Sequence, residues 1–295
     1  MTSLGSLHQL LDGRVLSFDD FGDPEGTAVV FFHGTPDSRR SRHPDDALAE
    51  RLGVRMIAVD RPGIGASSPH PTATVATFAG DVASLLESLG IATAGAFGWS
   101  AGAPFALAFA ALNPEICRSV VVAAGLVPFT AMATPAILDD ADGGRHMVAE
   151  LGADLGPQAT AEMAVPMLAP YPCDLGLAKE FVTESADSTR LETFNSIPGL
   201  IDAMALGVVD AVAQGLAGLT REVELQVEEP DVDWGSIVCP VHLVYAGQDQ
   251  TAPVAFGQWW EKAIAQTDLT VHPTEGHLIA ITRWSELLQL CAQGV

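Results

Sequence analysis

Across residues 7–32 apolar and polar residues alternate, interrupted by the turn signals Asp12-Gly13 and Asp23-Pro24-Glu25-Gly26. Such alternation predicts strands arranged as a meander. The last of them, Ala28-Val29-Val30-Phe31-Phe32, is continuously apolar, as a strand buried on both faces must be, and it runs straight into His33-Gly34-Thr35-Pro36. A second buried strand, residues 54–59, ends at Asp60-Arg61-Pro62-Gly63-Ile64-Gly65, and residues 45–52 between the two read as a short helix closed by Gly53. Helix and strand then alternate: a helix over 77–89, a strand over 94–99, a helix over 101–112 and a strand over 119–124. This predicts an α/β fold, with parallel strands and crossover helices on both faces. From about residue 128 to 233 the pattern breaks into helical stretches with scattered Pro, Gly and Met and no buried strand. It resumes with a strand over 238–246, a helix after Pro253, a strand over 269–272 and a final helix over 278–293. The expected organisation is an α/β core made of residues 1–127 and 234–295, with a largely helical cap, residues 128–233, inserted into it.

Length and composition fit that reading: 295 residues, 48% of them hydrophobic, suffice for one large core with an insertion. The richest apolar run, residues 101–112, stops at Asn113-Pro114, too short to cross a bilayer, and the N-terminus shows no signal-peptide pattern. The expectation is a soluble, cytoplasmic protein. A net charge of -23 argues against nucleic-acid phosphates and anionic membrane surfaces as partners and points to a small-molecule substrate, with polyanions disfavoured. Oligomeric state is left open. Cys117, Cys173, Cys239 and Cys291 lie more than 50 residues apart and without zinc-like spacing, so free thiols and no metal are expected.

The candidate chemistry centres on Gly98-Trp99-Ser100-Ala101-Gly102, where a strand turns abruptly into a helix. So sharp a turn strains its central residue and leaves no room for side chains two positions either side, which accounts for both glycines and holds the serine hydroxyl clear of the sheet. The competing reading is a glycine-flanked turn with a serine helix cap. A serine nucleophile needs a base, and His277 lies in the loop Pro273-Thr274-Glu275-Gly276-His277 after the last strand, at the same sheet edge as the elbow. His272, on the strand itself, reads as a solvent-facing strand end. The base needs a carboxylate to orient it, and Asp249 in Gly247-Gln248-Asp249-Gln250 is placed for that role ahead of Asp233 and Glu275. Oxyanion donors are expected from the backbone N–H groups of Ala101 and Thr35. Gly63-Ile64-Gly65 follows a strand, but Ser68 stands at the third glycine position and no helix starts there, so no nucleotide is expected.

With the H-G-x-P loop, the Asp60–Gly65 turn, the G-x-S-x-G elbow, the G-x-D loop and Gly276-His277 in this order, the chain resembles the α/β-hydrolase superfamily along nearly its whole length. The resemblance implies a mostly parallel eight-stranded sheet, a cap over the active site and no cofactor. Ser100 stands where the haloalkane dehalogenases and epoxide hydrolases of this fold carry aspartate, and the elbow lacks the tryptophan that follows the serine in proline iminopeptidases. The resulting expectation is a serine hydrolase using Ser100, His277 and Asp249 on a small to medium apolar ester or lactone, uncharged or weakly charged. The alternatives are another reaction of the same triad, such as carbon–carbon bond hydrolysis, lactone formation or perhydrolysis, and a ligand-binding member without turnover. Trp99, His33, Met132, Met163 and Phe194 are the candidate pocket residues, with His33 reading chiefly as a brace for its loop.

Overall fold

A computed structural model describes residues 5–293. The chain begins with β1 (Ser6–Gln9), β2 (Val15–Gly22), β3 (Thr27–Phe32), α1 (Ala47–Arg51) and β4 (Val54–Val59). It continues with α2 (Val75–Ser88), β5 (Ala94–Trp99), α3 (Ala103–Leu112) and β6 (Cys117–Ala123). The strands form one eight-stranded sheet in the order β1-β2-β4-β3-β5-β6-β7-β8, with β7 at Val241–Ala246 and β8 at Thr267–His272. Strands β3 to β8 run parallel, and only β1 and β2 are antiparallel to their neighbours. The α/β-hydrolase fold expected from the sequence is the fold observed.

The expected meander does not form past β2. Strand β2 pairs with β4, register Phe18↔Val59 to Gly22↔Arg55, and the turn after it seats the Asp23 N–H on the Val54 carbonyl. The chain thereby crosses over the start of β4 and delivers the apolar β3 between β4 and β5. Val29, Val30 and Phe31 are fully buried there. An all-apolar strand needs cover on both faces and a partner on both edges, and the sheet centre supplies both.

Local signals explain the helix boundaries. Thr74 and Thr77 form a reciprocal capping box at the start of α2. Between β6 and β7 the chain runs through α4 (Phe129–Met132), α5 (Pro135–Leu138), α6 (Gly143–Leu168), α7 (Leu175–Glu184), α8 (Ser188–Ser196), α9 (Leu200–Ala211) and α10 (Ala217–Val227). Asp142, Asp174 and Asp187 each accept a backbone N–H to cap α6, α7 and α8. Helix α6 is broken at Gly156, which adopts φ 78° just ahead of Pro157. These helices carry a second apolar cluster around Ala161, Val165, Ala205, Val208 and Leu219. The chain closes with α11 (Val254–Ala263), β8, α12 (Ile279–Thr282) and α13 (Trp284–Ala292). Among the described residues no helix is long and apolar enough to cross a membrane. Cys117, Cys239 and Cys291 are buried free thiols and Cys173 is a partly buried one.

The junction of β5 and α3 is tightly packed. A Cβ on Gly102 would collide with the Phe32 carbonyl oxygen and stand 2.7 Å from that of His33, and one on Gly98 would meet Ala103 and Ala106 at 2.9 Å. Since the Gly102 obstacle is backbone, a Gly102→Ala protein is expected to lose at least about 2 kcal/mol of stability, read as a lower urea midpoint than wild type.

Candidate active site

Strand β5 ends at Trp99, a 3-10 turn spans Ser100–Gly102, and α3 follows. Ser100 adopts φ 54°, a left-handed conformation strained for a residue with a Cβ, and the crowding at Gly98 and Gly102 holds it there. Its carbonyl accepts the Leu126 N–H at 3.0 Å, which ties the elbow to the segment after β6, where Ala124 is also left-handed at φ 47°.

His277 Nε2 lies 3.1 Å from Ser100 Oγ, and His277 Nδ1 lies 2.8 Å from Asp249 Oδ2. Asp249 Oδ1 accepts the N–H groups of Thr251 and Ala252 at 2.9 and 3.0 Å, so both carboxylate oxygens are engaged and the group cannot swing. Since this carboxylate accepts, Nδ1 carries the donated proton and Nε2 is left to accept from the serine hydroxyl. The three side chains come from loops after β5, β7 and β8 and are all buried, at 5%, 5% and 7% exposure for Ser100, Asp249 and His277. Trp99 lines the adjoining cavity, and its Nε1–H donates to the His277 carbonyl at 3.1 Å, fixing the histidine loop against the elbow. The other acids weighed from the sequence lie elsewhere: Asp233 caps a 3-10 turn, and Glu275 is partly buried, bonded to Arg283 and Thr282 rather than facing water.

The loop after β3 is held by a buried arginine. Arg61 donates to the carbonyls of His33 (2.5 Å) and Gly34 (2.6 Å), and its Nε donates to Glu222 Oε1 of α10 at 2.6 Å. Thr35 Oγ1 donates to the other Glu222 oxygen at 2.9 Å. In a trans peptide the N–H points opposite the carbonyl, so turning the Gly34 carbonyl toward Arg61 turns the Thr35 N–H away from it. A Cβ on Gly34 would lie 3.3 Å from Ser100 Cβ, so this loop abuts the serine. His33 lies beneath, fully buried: Nδ1 donates to the Gly34 carbonyl at 2.8 Å and Nε2 accepts the Arg61 N–H at 3.4 Å. Burial, with Arg61 beside it, pushes its pKa well below the usual histidine range, so the ring is neutral.

A cavity with about 330 Å³ of free interior opens between this constellation and the inserted helices. Trp99 and Phe194 line it, as do Met147, Met167 and Met204. Three candidate pocket residues lie outside it. His33 is used up in the loop beneath, Met132 faces a separate small void beside Ala101, and Met163 points outward at 53% exposure. Met163 lies on the exposed side of α6, beyond the break at Gly156. The cavity also holds groups that apolar patterning passes over: Asp37, Arg145 and Arg190. Asp37 follows the His33–Pro36 loop and accepts the Ser41 hydroxyl at 2.7 Å. Burial pushes its carboxyl up to about 6, against the opposing effects of Ser41 and Arg61.

Comparisons with known proteins bear on the fold that carries this site. Residues 27–163 match the family model described as the alpha/beta hydrolase fold. Residues of the chain are 36% identical over 126 positions to epoxide hydrolase B of Mycobacterium tuberculosis, covering 40% of this chain and 35% of that protein. They are 33% identical over 120 positions to a proline iminopeptidase of Xylella fastidiosa, covering 38% of this chain and 36% of that protein. The chain thus spans little more than a third of the curated relatives it matches. An esterase from Rhodococcus sp. ECU1013 superposes with a TM-score of 0.67 at 17% identity, covering 98% of this chain and 99% of that one. These likenesses show the α/β-hydrolase fold, and the superfamily resemblance carried by the sequence motifs holds.

Two stability effects follow. Truncating Glu222 to Ala leaves the buried Arg61 charge unpaired and is expected to cost about 3–5 kcal/mol in urea unfolding, with Glu222→Gln, which can still accept from Arg61, losing less. For Asp37 the folded pKa is raised, from 3.8 to about 6, so unfolding favours loss of the proton. Its contribution to folded-state stability therefore falls as pH rises from about 4 to about 6 and stays low above that. Asp37→Asn is expected to gain on the order of 2 kcal/mol over wild type at pH 7 and little at pH 4, measured by urea unfolding at both values. Asp60, also raised to about 6 by burial against the pull of Arg39, contributes a slope of the same sign in both proteins.

Proposed function

Taking the α/β-hydrolase fold with its Ser100–His277–Asp249 constellation as the premise, we propose that the protein is a serine hydrolase that cleaves small to medium esters or lactones through an acyl-enzyme. The observation that carries this reading is the continuous pair of hydrogen bonds, 3.1 Å from serine to histidine and 2.8 Å from histidine to aspartate. Ser100 Oγ attacks the substrate carbonyl carbon while His277 Nε2 takes the hydroxyl proton. Asp249 holds the imidazole and stabilises its charged form. The backbone N–H groups of Thr35 and Ala101 receive the oxyanion, and the proton on His277 then passes to the leaving alcohol. Water enters and the same groups repeat the steps to release the acid, with no cofactor required.

Residues 128–233 act as the cap and residues 1–127 and 234–295 as the catalytic core. The cap closes the cavity over Ser100 and, through α6, α8 and α9, supplies much of its lining. The names of the curated relatives do not transfer: opening an epoxide through an ester intermediate needs a carboxylate nucleophile, and position 100 is serine. The residue after the nucleophile is Ala101, without the tryptophan that marks proline iminopeptidases.

Wild-type protein is expected to react covalently with a fluorophosphonate at Ser100 and to hydrolyse short p-nitrophenyl esters. Ser100→Ala should abolish labelling and lower kcat by at least roughly a thousandfold. Wild-type turnover in the alanine protein would overturn the proposal.

A further inference from the structure

Two arginines of the inserted helices line the cavity with donors left over. Arg145 sits in the first turn of α6 and Arg190 in the first turn of α8, each three residues after the aspartate that caps its helix. Arg145 makes one side-chain hydrogen bond, from Nη1 to Gln226 Oε1 at 3.3 Å, and no carboxylate oxygen of the described residues lies within 4 Å of its guanidinium. Burial pulls its pKa below the ordinary arginine value, Arg190 adds to this, and Asp142 and Asp249 oppose it. Arg190 Nη2 donates to Thr251 Oγ1 at 2.9 Å, while its Nε is buried without a hydrogen bond and stands 3.6 Å from the exposed Asp187 carboxylate.

Two of the three acids nearby, Asp142 and Asp249, have both oxygens engaged. Asp142 Oδ1 accepts the Arg145 backbone N–H at 2.8 Å and Oδ2 accepts the Thr251 hydroxyl at 2.9 Å. Both oxygens of Asp249 serve His277 and its own loop, and Asp37, which accepts from Ser41 through Oδ1, makes no ion pair with either arginine. Leaving guanidinium donors unpaired in a confined cavity is costly, and a carboxylate meets the fork geometry of arginine directly. The position is also indexed to the catalytic groups: Thr251 bridges Arg190 to Asp142, and its backbone N–H bonds Asp249.

We propose that Arg145 and Arg190 form a carboxylate subsite, so that the substrate is an ester or lactone carrying a free carboxylate at its far end, such as a half-ester of a dicarboxylic acid. This rests on the hydrolase reading above and narrows the expectation of an uncharged or weakly charged apolar substrate to one with a single negative charge. The acid-rich surface repels anions at long range, and the two guanidinium groups supply the local attraction that the net charge of -23 withholds.

The test compares monoethyl adipate with ethyl hexanoate, of equal acyl length, and separately titrates adipate into the Ser100→Ala protein by calorimetry. Wild type should favour the half-ester in kcat/KM by about tenfold or more, and Arg145→Gln or Arg190→Gln should lower that ratio about 10- to 100-fold, through KM. Lysine at either position, which keeps charge and loses the fork, should restore part of the ratio and serves where a glutamine protein fails to fold. Adipate binding to Ser100→Ala should weaken about tenfold when either arginine is also replaced. If both esters are hydrolysed with a ratio near one that the arginine variants leave unmoved, the subsite is overturned. If adipate binds in an arginine-dependent way but neither ester is cleaved, the hydrolase reading fails and the subsite stands.

Discussion

The geometry around Ser100 depends on one steric condition: the end of β5 must pass close enough to the end of β3 that no side chain fits at Gly102. The Phe32 carbonyl occupies the space that a Cβ there would need. This approach brings the Gly34 loop against Ser100, and the strained φ of 54° at the serine is the conformation that fits between them. Strain of this kind persists only where the surroundings over-determine it. Here the surroundings are the parallel register of β3 with β5, Phe32 opposite Gly98, and the bond from Leu126 to the serine carbonyl.

A second layer of constraint comes from charge. The loops after β3 and β4 carry Arg39, Asp60 and Arg61, and each is tied to the inserted helices. Arg61 pairs with Glu222 of α10, while Arg39 contacts both Asp60 and Asp210 of α9. Gly63 and Gly218 approach so closely that a Cβ on Gly63 would stand 2.7 Å from the Gly218 Cα. The inserted helices are therefore keyed to the loops after β3 and β4, and the same contacts orient the Gly34 carbonyl. Burying these charges costs solvation, which a nearly complete set of hydrogen bonds offsets.

The hydrogen-bonded trio was legible because each member lies in a loop after a strand, and strand ends are marked in this chain by turn residues such as Gly, Asp or Pro. Ser100, Asp249 and His277 could be assigned in order from β5, β7 and β8 without any contact information. The placement of β2 was not legible: alternation reports which faces are buried and says nothing of which neighbour a strand takes. The pocket was legible only in part. Phe194 and Trp99 reach the cavity, but Met132, at the end of α4, faces a separate void and Met163 lies on the exposed side of α6, because residue type alone does not say which face of a helix a methionine takes. Arg145 and Arg190 carried no signal beyond their charge, since an arginine in a helix's first turn is ordinarily a solvated residue.

The sequence by itself determined the elements, the parallel core and the candidate trio Ser100, His277 and Asp249 that the fold brings into contact, because these follow from local periodicity and from chemistry confined to strand ends. Only the tertiary structure decided the order β2-β4-β3, the brace from Arg61 to Glu222 and the charged character of the cavity. Those depend on contacts between residues far apart in the chain, such as the 161 positions separating Arg61 from Glu222. Pairing over such distances is set by how whole elements pack, and local pattern carries no record of it.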